Sequence, residues 1–269
     1  MIPRLLLTGA AGKLGRHLRT SLRPYAQLMR LSDIAAMDPA GPAEELMPCQ
    51  LADKQAVDRL VQGCNAVVHM GGLPTDHAFE DILEANIKGV LHIYEGARRH
   101  AVERVIFASS NHVVGFHLQE EVLGTDCVRR PDSYYGLSKS FGEDVAQFYW
   151  NRYGIQSASL RIGSAFPEPR DRRMMHTWLS YRDLTELIRC CLQAPHLGHT
   201  VVFGMSDNPE PWWDNSGAAH LGFKPQDSST PFRTVSEQIP PLAADDPARR
   251  YQGGAFVKFG PYDTPPVAD

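Results

Sequence analysis

The sequence predicts an α/β fold, a doubly wound parallel sheet with helices on both faces, followed by a small irregular C-terminal lobe. Three observations predict it. Up to residue 165, short apolar runs alternate with amphipathic stretches, the pattern of parallel strands joined by crossover helices. A glycine-rich turn separates the first apolar run from the first amphipathic stretch. Beyond residue 165, Pro167, Pro169, Pro195, Pro209, Pro211, Pro225 and Pro231 cut the chain into shorter pieces.

Taken in order, strands are expected at residues 4–8, 28–32, 46–49, 66–70, 104–109 and 157–162. Helices are expected at 14–22, 54–62, 78–100 and 135–153. The run Ala66-Val67-Val68 has no polar alternation, so both of its faces must be buried, as in a parallel sheet. In the later part only 183–193 (helix) and 200–203 (strand) look regular. The tail, 240–269, is rich in Pro, Gly and Asp and is expected to wrap the body or fray. Residues 1–165 are therefore read as a dinucleotide-binding region and 166–269 as a small substrate lobe with a tail, in one compact unit.

Composition narrows the function. A chain of 269 residues with 43% apolar content buries a full core. Its 27 basic against 31 acidic residues give a net charge of -4 with no basic block, which argues against nucleic acid as a partner. Leu5-Leu6-Leu7 runs straight into Thr8-Gly9, too short for a signal-peptide core or a bilayer span, so a cytoplasmic protein with no membrane partner is expected. Five cysteines without C-x-x-C spacing read as reduced, packed thiols. His196 and His199 flank a turn rather than sharing a helix face, and no metal site is expected.

Gly9-Ala10-Ala11-Gly12-Lys13-Leu14-Gly15 has the G-x-x-G-x-x-G spacing of a nucleotide-binding turn between strand and helix, which makes the fold Rossmann-type. Glycine is required where the chain turns sharply, approaches a pyrophosphate and packs helix on strand; the helix then offers free N–H groups to the anion. Asp33 lies 18 residues beyond Gly15, at the distance of the carboxylate that accepts from the adenosine ribose and repels a 2′-phosphate. NAD is expected. Asp53, after Leu51-Ala52, either caps the next helix or bonds the adenine amino group. Met70-Gly71-Gly72 ends the fourth strand, where the crevice of such a sheet lies.

Tyr135-Gly136-Leu137-Ser138-Lys139 puts a phenol and an ammonium on one helix face. A phenol with a pKa near 10 becomes a base at neutral pH only beside positive charge, which Lys139 supplies. Ser109-Ser110-Asn111 ends the fifth strand at the same sheet edge, so Ser110 completes a candidate catalytic trio.

Gly9 to Gly15, Asp33, Met70-Gly71-Gly72, Asn86, Ser109-Ser110, Gly115 and Tyr135 to Lys139 together resemble, in order and spacing, the extended short-chain dehydrogenase/reductases, a group that includes sugar-nucleotide epimerases and dehydratases. The resemblance implies NAD contacts from these residues and from Leu51 and Ile162. It also implies that Asn86 orders Lys139 through backbone and water contacts, the alternative being a local helix bond. Ser109-Ser110-Asn111-His112, Arg161-Ile162-Gly163-Ser164, Pro167-Glu168-Pro169, Trp212-Trp213-Asp214-Asn215-Ser216 and Gln252-Gly253-Gly254 are similar more narrowly to uronate dehydrogenases. That implies oxidation of C1 of a hexuronate such as D-glucuronate or D-galacturonate to the aldarolactone.

On that reading Arg173 clamps the C6 carboxylate, while Arg170 and Arg172 form a solvated cluster. Asn111, His112 and Ser164 bond ring hydroxyls, with His112 alternatively a structural imidazole, and Trp212-Trp213 packs as core. Thr75, in Leu73-Pro74-Thr75, stands in for a serine of the family's substrate loop. A sugar-nucleotide epimerase or dehydratase, or an NAD-sensing scaffold, are the competing readings. The family implies a homo-oligomer, with helices 78–100 and 135–153 available for packing across a two-fold axis.

Overall fold

The computed structural model describes residues 1–260 and Tyr262. The chain runs β1 (Ile2–Thr8), α1 (Lys13–Ser21), β2 (Ala26–Ser32), β3 (Glu44–Leu46), α2 (Lys54–Val61), β4 (Ala66–His69), α3 (Phe79–Ile82), a π-helical segment (Leu83–Lys88), α4 (Gly89–Arg99) and β5 (Arg104–Ser110). There follow β6 (Leu123–Gly124), α5 (Tyr134–Tyr153), β7 (Gln156–Ile162), β8 (Ser164–Ala165), α6 (Met174–Thr177), β9 (Trp178–Leu179), α7 (Tyr181–Gln193), β10 (His199–Gly204) and β11 (Trp213–Asp214). Two short helices, α8 (Arg233–Gln238) and α9 (Pro247–Arg250), lie in the last part of the chain.

Seven strands form one parallel sheet in the order β10-β7-β5-β4-β1-β2-β3. The chain builds outward from β1 to β3 and then crosses to β4 and the other half. The switch point therefore lies between β1 and β4, and a crevice opens at their carboxyl ends. The period of two assigns the core residues: Leu5 and Leu7 pack on one face with Leu18 and Leu184, and Leu6 packs on the other with Val57 and Ile93. Both faces are buried, as the unbroken apolar strands require.

Three expectations are corrected. The third strand is Glu44–Leu46, not residues 46–49; it is a polar edge strand, held by Arg30 Nε on Glu45 at 2.7 Å, and an apolar criterion does not see it. The helix expected at 78–100 is interrupted by the π turn. Residues beyond 165 are more regular than the prolines suggest, because α6, α8, α9 and several 3₁₀ turns join α7 and β10.

The tail wraps the body: Tyr251 bridges Leu118, and 254–258 forms a 3₁₀ turn against the crevice. The tail expectation for residues 261 and 263–269 lies outside the described residues. Among the described residues, no helix is long and apolar enough to cross a membrane.

Candidate functional site

The crevice is a cavity of about 1010 Å³ running from the glycine turn to Arg173. At its first end, Gly9 has φ +69°, and a Cβ there would sit 2.8 Å from the Met70 carbonyl carbon. A Cβ on Gly15 would lie 1.9 Å from the Gly9 carbonyl oxygen, so α1 seats on the turn only because residue 15 has no side chain. Gly12 caps α1 with no side-chain acceptor, and no acid stands in the first turn. The N–H groups of Lys13 to Gly15 thus face the cavity with the positive end of the helix dipole. Lys13 Nζ lies 4.6 Å above the Phe166 ring.

Asp33 also lines this end, its Oδ2 accepting from Ala11 N at 2.9 Å and its Oδ1 from Ala35 N at 3.0 Å. The carboxylate is thereby fixed at the cavity wall. Leu51, Met70, Gly71, Gly72 and Ile162 line the same channel. Asp53 does not: its Oδ1 accepts from Gln55 N and Ala56 N at 2.9 and 3.0 Å, which makes it the N-cap of α2 and resolves the open choice toward the cap.

Tyr135, Lys139 and Ser110 converge at the middle of the cavity, all buried. Ser133 caps α5 by accepting from Gly136 N at 3.0 Å, which starts the helix at the Tyr134-Tyr135 pair. The backbone N–H of Tyr135 itself donates to Asp76 Oδ1 at 2.7 Å. Burial pushes the Tyr135 phenol up to about 12, with the Ser110 hydroxyl pulling it back. Burial also pulls Lys139 down to about 8. Its ammonium lies 5.4 Å from the Tyr135 ring centroid and 5.1 Å from that of Phe107, with no carboxylate partner among the described residues. A buried phenol and an unpaired cation held this close are suited to proton abstraction.

Two residues expected near the cofactor also bond within the protein. Asn86 sits in the π turn, outside the cavity wall. Its Oδ1 accepts from Leu73 N at 2.7 Å, and its Nδ2 donates to the Leu73 carbonyl and to Ser138 Oγ at 3.2 and 3.1 Å. It ties the Gly72 loop to α5. Ser109 lines the cavity, and its hydroxyl donates to Glu143 at 2.7 Å, joining the buried bidentate Arg161–Glu143 pair that fixes α5 to β7.

At the far end the tail forms the wall. Arg173 Nε donates to the Gln252 carbonyl at 2.7 Å, Nη1 to Ser164 Oγ at 3.1 Å and Nη2 to the Asn111 amide oxygen at 2.7 Å. Three of its five N–H groups are used, which leaves one on each terminal nitrogen. No carboxylate within ion-pair distance of Arg173 occurs among the described residues, and burial lowers its pKa from the usual guanidinium range. A half-buried guanidinium with a free fork is a receptor for a planar anion.

Arg170 and Arg172 are both exposed, as expected of a solvated cluster. Arg172 donates to the carbonyls of Ile239 and Glu237 and holds the tail, while Arg170 stacks on Phe166 at 4.2 Å. His112 is buried in the wall, stacked on Phe256 at 3.6 Å between ring centroids, with Nδ1 on Asp132 Oδ2 at 2.7 Å. Thr75 lines the cavity beside Pro74, its Oγ1 3.2 Å from His77 Nε2. Trp213 stacks on Phe203 at 5.0 Å in the core and Trp212 on His176 at 4.9 Å, so the pair packs rather than forming a platform.

Asp132, Phe256, Gln252 and His77 escape the sequence reading. Only Gln252-Gly253-Gly254 carried a signal, and it was one of family likeness.

The chain belongs to the NAD dependent epimerase/dehydratase family, which matches residues 5–207. Within that class it is similar over nearly its whole length to uronate dehydrogenases. One from Pseudomonas syringae pv. tomato is 60% identical over 96% of this chain and 94% of its own length. Among solved structures, a mutant uronate dehydrogenase from Agrobacterium tumefaciens complexed with NAD superposes with a TM-score of 0.94 at 47% identity, covering 97% of this chain and 98% of that one. A glucuronic acid dehydrogenase from Chromohalobacter salexigens gives 0.95 at 48% identity over the same shares of the two chains.

Proposed function

We propose that this chain is an NAD-dependent uronate dehydrogenase that oxidises the C1 hydroxyl of a hexuronate, D-glucuronate or D-galacturonate, to the aldarolactone. The observation that carries the reading is the position of Arg173, an unpaired guanidinium facing a cavity whose other end is a nucleotide-binding turn. The residues present fit NAD: an uncapped helix N-terminus for the pyrophosphate, and Asp33 for the ribose. When bound, NAD supplies the hydride acceptor.

The chain's own groups do the rest. Arg173 anchors the C6 carboxylate through its two free N–H groups. Ser110 and Tyr135 hold the C1 hydroxyl, and the Tyr135 phenolate, stabilised by Lys139, takes its proton. Asn111 and Ser164 are oriented by Arg173, and with His112 and Thr75 they receive the ring hydroxyls. Residues 1–165 hold the dinucleotide and most groups facing the sugar, and the lobe that follows adds Arg173. Exposed apolar side chains on α4 and α5, Leu91, Leu137, Phe148 and Tyr153, are the faces proposed to pair copies of the chain into a homo-oligomer.

The test is NADH formation at 340 nm with uronates, neutral aldoses and UDP-sugars. Turnover confined to uronates is expected. Equal kcat/KM on glucose and glucuronate would remove the carboxylate argument, and conversion of UDP-sugars without net NADH would point to an epimerase.

A further inference from the structure

We propose that Asp132 is a positioning residue that acts through His112, fixing its tautomer so that Nε2 faces the substrate as a hydrogen-bond acceptor. The inference rests on the proposed function and names a group outside the expected site.

Asp132 ends the loop before α5 and its side chain is fully buried. A buried carboxylate must be met by donors, and Asp132 has two: His112 Nδ1 at 2.7 Å on Oδ2 and the Ser133 hydroxyl at 2.8 Å on Oδ1. The chain is built around it. A Cβ on Gly115 would lie 1.8 Å from Asp132 Oδ2 and one on Gly253 2.0 Å from the same atom. Those two glycines, from a loop and from the tail, bond each other through Gly253 N on the Gly115 carbonyl at 2.8 Å. Two remote segments, 112–115 and the tail at Gly253, thus close on one carboxylate oxygen, and what that oxygen does is hold an imidazole.

An ionised carboxylate only accepts, so the proton of the shared bond sits on His112 Nδ1. In the neutral imidazole Nε2 is then bare. The ring is clamped against Phe256 and stands edge-on to Tyr135 at 5.9 Å between centroids. His112 lines the cavity, and its Nε2 has no partner among the described residues. It therefore favours a sugar position that bears a hydroxyl, a donor. It discriminates against a substituent that only accepts.

Asp132→Asn keeps the shape and inverts the polarity. The amide N–H donates to Nδ1, and Nε2 must carry the proton. Long-range ¹H–¹⁵N spectra of the histidine-labelled protein, with His112 assigned by its loss in His112→Asn, read the tautomer directly. The Nδ1–H form is expected in the unmodified protein and the Nε2–H form in Asp132→Asn; an Nε2-protonated ring in the unmodified protein, neutral or charged, overturns the proposal whether or not the variant folds.

In kinetics, Asp132→Asn should raise KM for the uronate about tenfold or more, with the NAD dissociation constant within about twofold. In the His112→Asn background it should add nothing. A loss of equal size in both backgrounds means that Asp132 is structural only. Absence of uronate turnover in the unmodified enzyme sinks the functional reading instead, and the tautomer spectra still judge this one.

Discussion

Lys139 is a buried charge in the cavity wall, and its cost shows in its acidity, drawn down to about 8 by burial. Because the folded pKa lies below the unfolded value, the unfolded chain binds more protons between the two. The penalty is complete below pH 8 and disappears above about pH 10.4. Lys139→Met should therefore abolish turnover and yet stabilise the protein at pH 7, by on the order of 2 kcal/mol. Thermal melts at pH 7 and pH 10 check it: the gain should shrink at the higher pH, and a destabilised variant at pH 7 would contradict the assignment. The trio was legible in the sequence because Tyr135 and Lys139 are one helical turn apart, and Ser110 ends a strand that any apolar count finds. Asp132 was not, since an acid before a helix reads as a loop or cap residue, and only three-dimensional packing places it on His112.

The π turn at Leu83–Lys88 shows what a pattern of hydrophobicity does and does not give. The run from 78 to 100 is helical by periodicity, and the chain is helical there, but the extra residue in one turn is not written in the apolar spacing. Its consequence is the inward Asn86, which spends its amide on Leu73 and Ser138. Asn86→Ala should leave Leu73 N–H without its partner, lowering stability by about 1–3 kcal/mol. It should also raise KM through the loosened Gly72–Thr75 loop. The acid limb of the kcat profile, set by protonation of the Tyr135 phenolate beside Lys139, should not move. A shift of that limb would mean that Asn86 acts on Lys139. The edge strand Glu44–Leu46 escaped for a related reason: it is held by ion pairs rather than by apolar faces.

Across the whole molecule, the parallel sheet brings the dinucleotide end together from local motifs, whereas the substrate end is assembled from segments far apart in the chain. Gln252 meets Arg173 from 79 positions away, which is why the clamp's residue was readable and its scaffold was not. The tail is part of that scaffold. A chain ending at Arg250 keeps both sheet faces and should bind NAD within about threefold, while KM for the uronate rises tenfold or more. Loss of NAD binding on truncation would show that the two ends are not separable. The central claim is that a guanidinium, not the sugar ring, selects the substrate, and Arg173→Met tests it by kcat/KM for glucuronate and glucose. The account predicts a preference of at least about a hundredfold in the unmodified enzyme, falling below about tenfold in the variant through KM; an undiminished preference in Arg173→Met would contradict it.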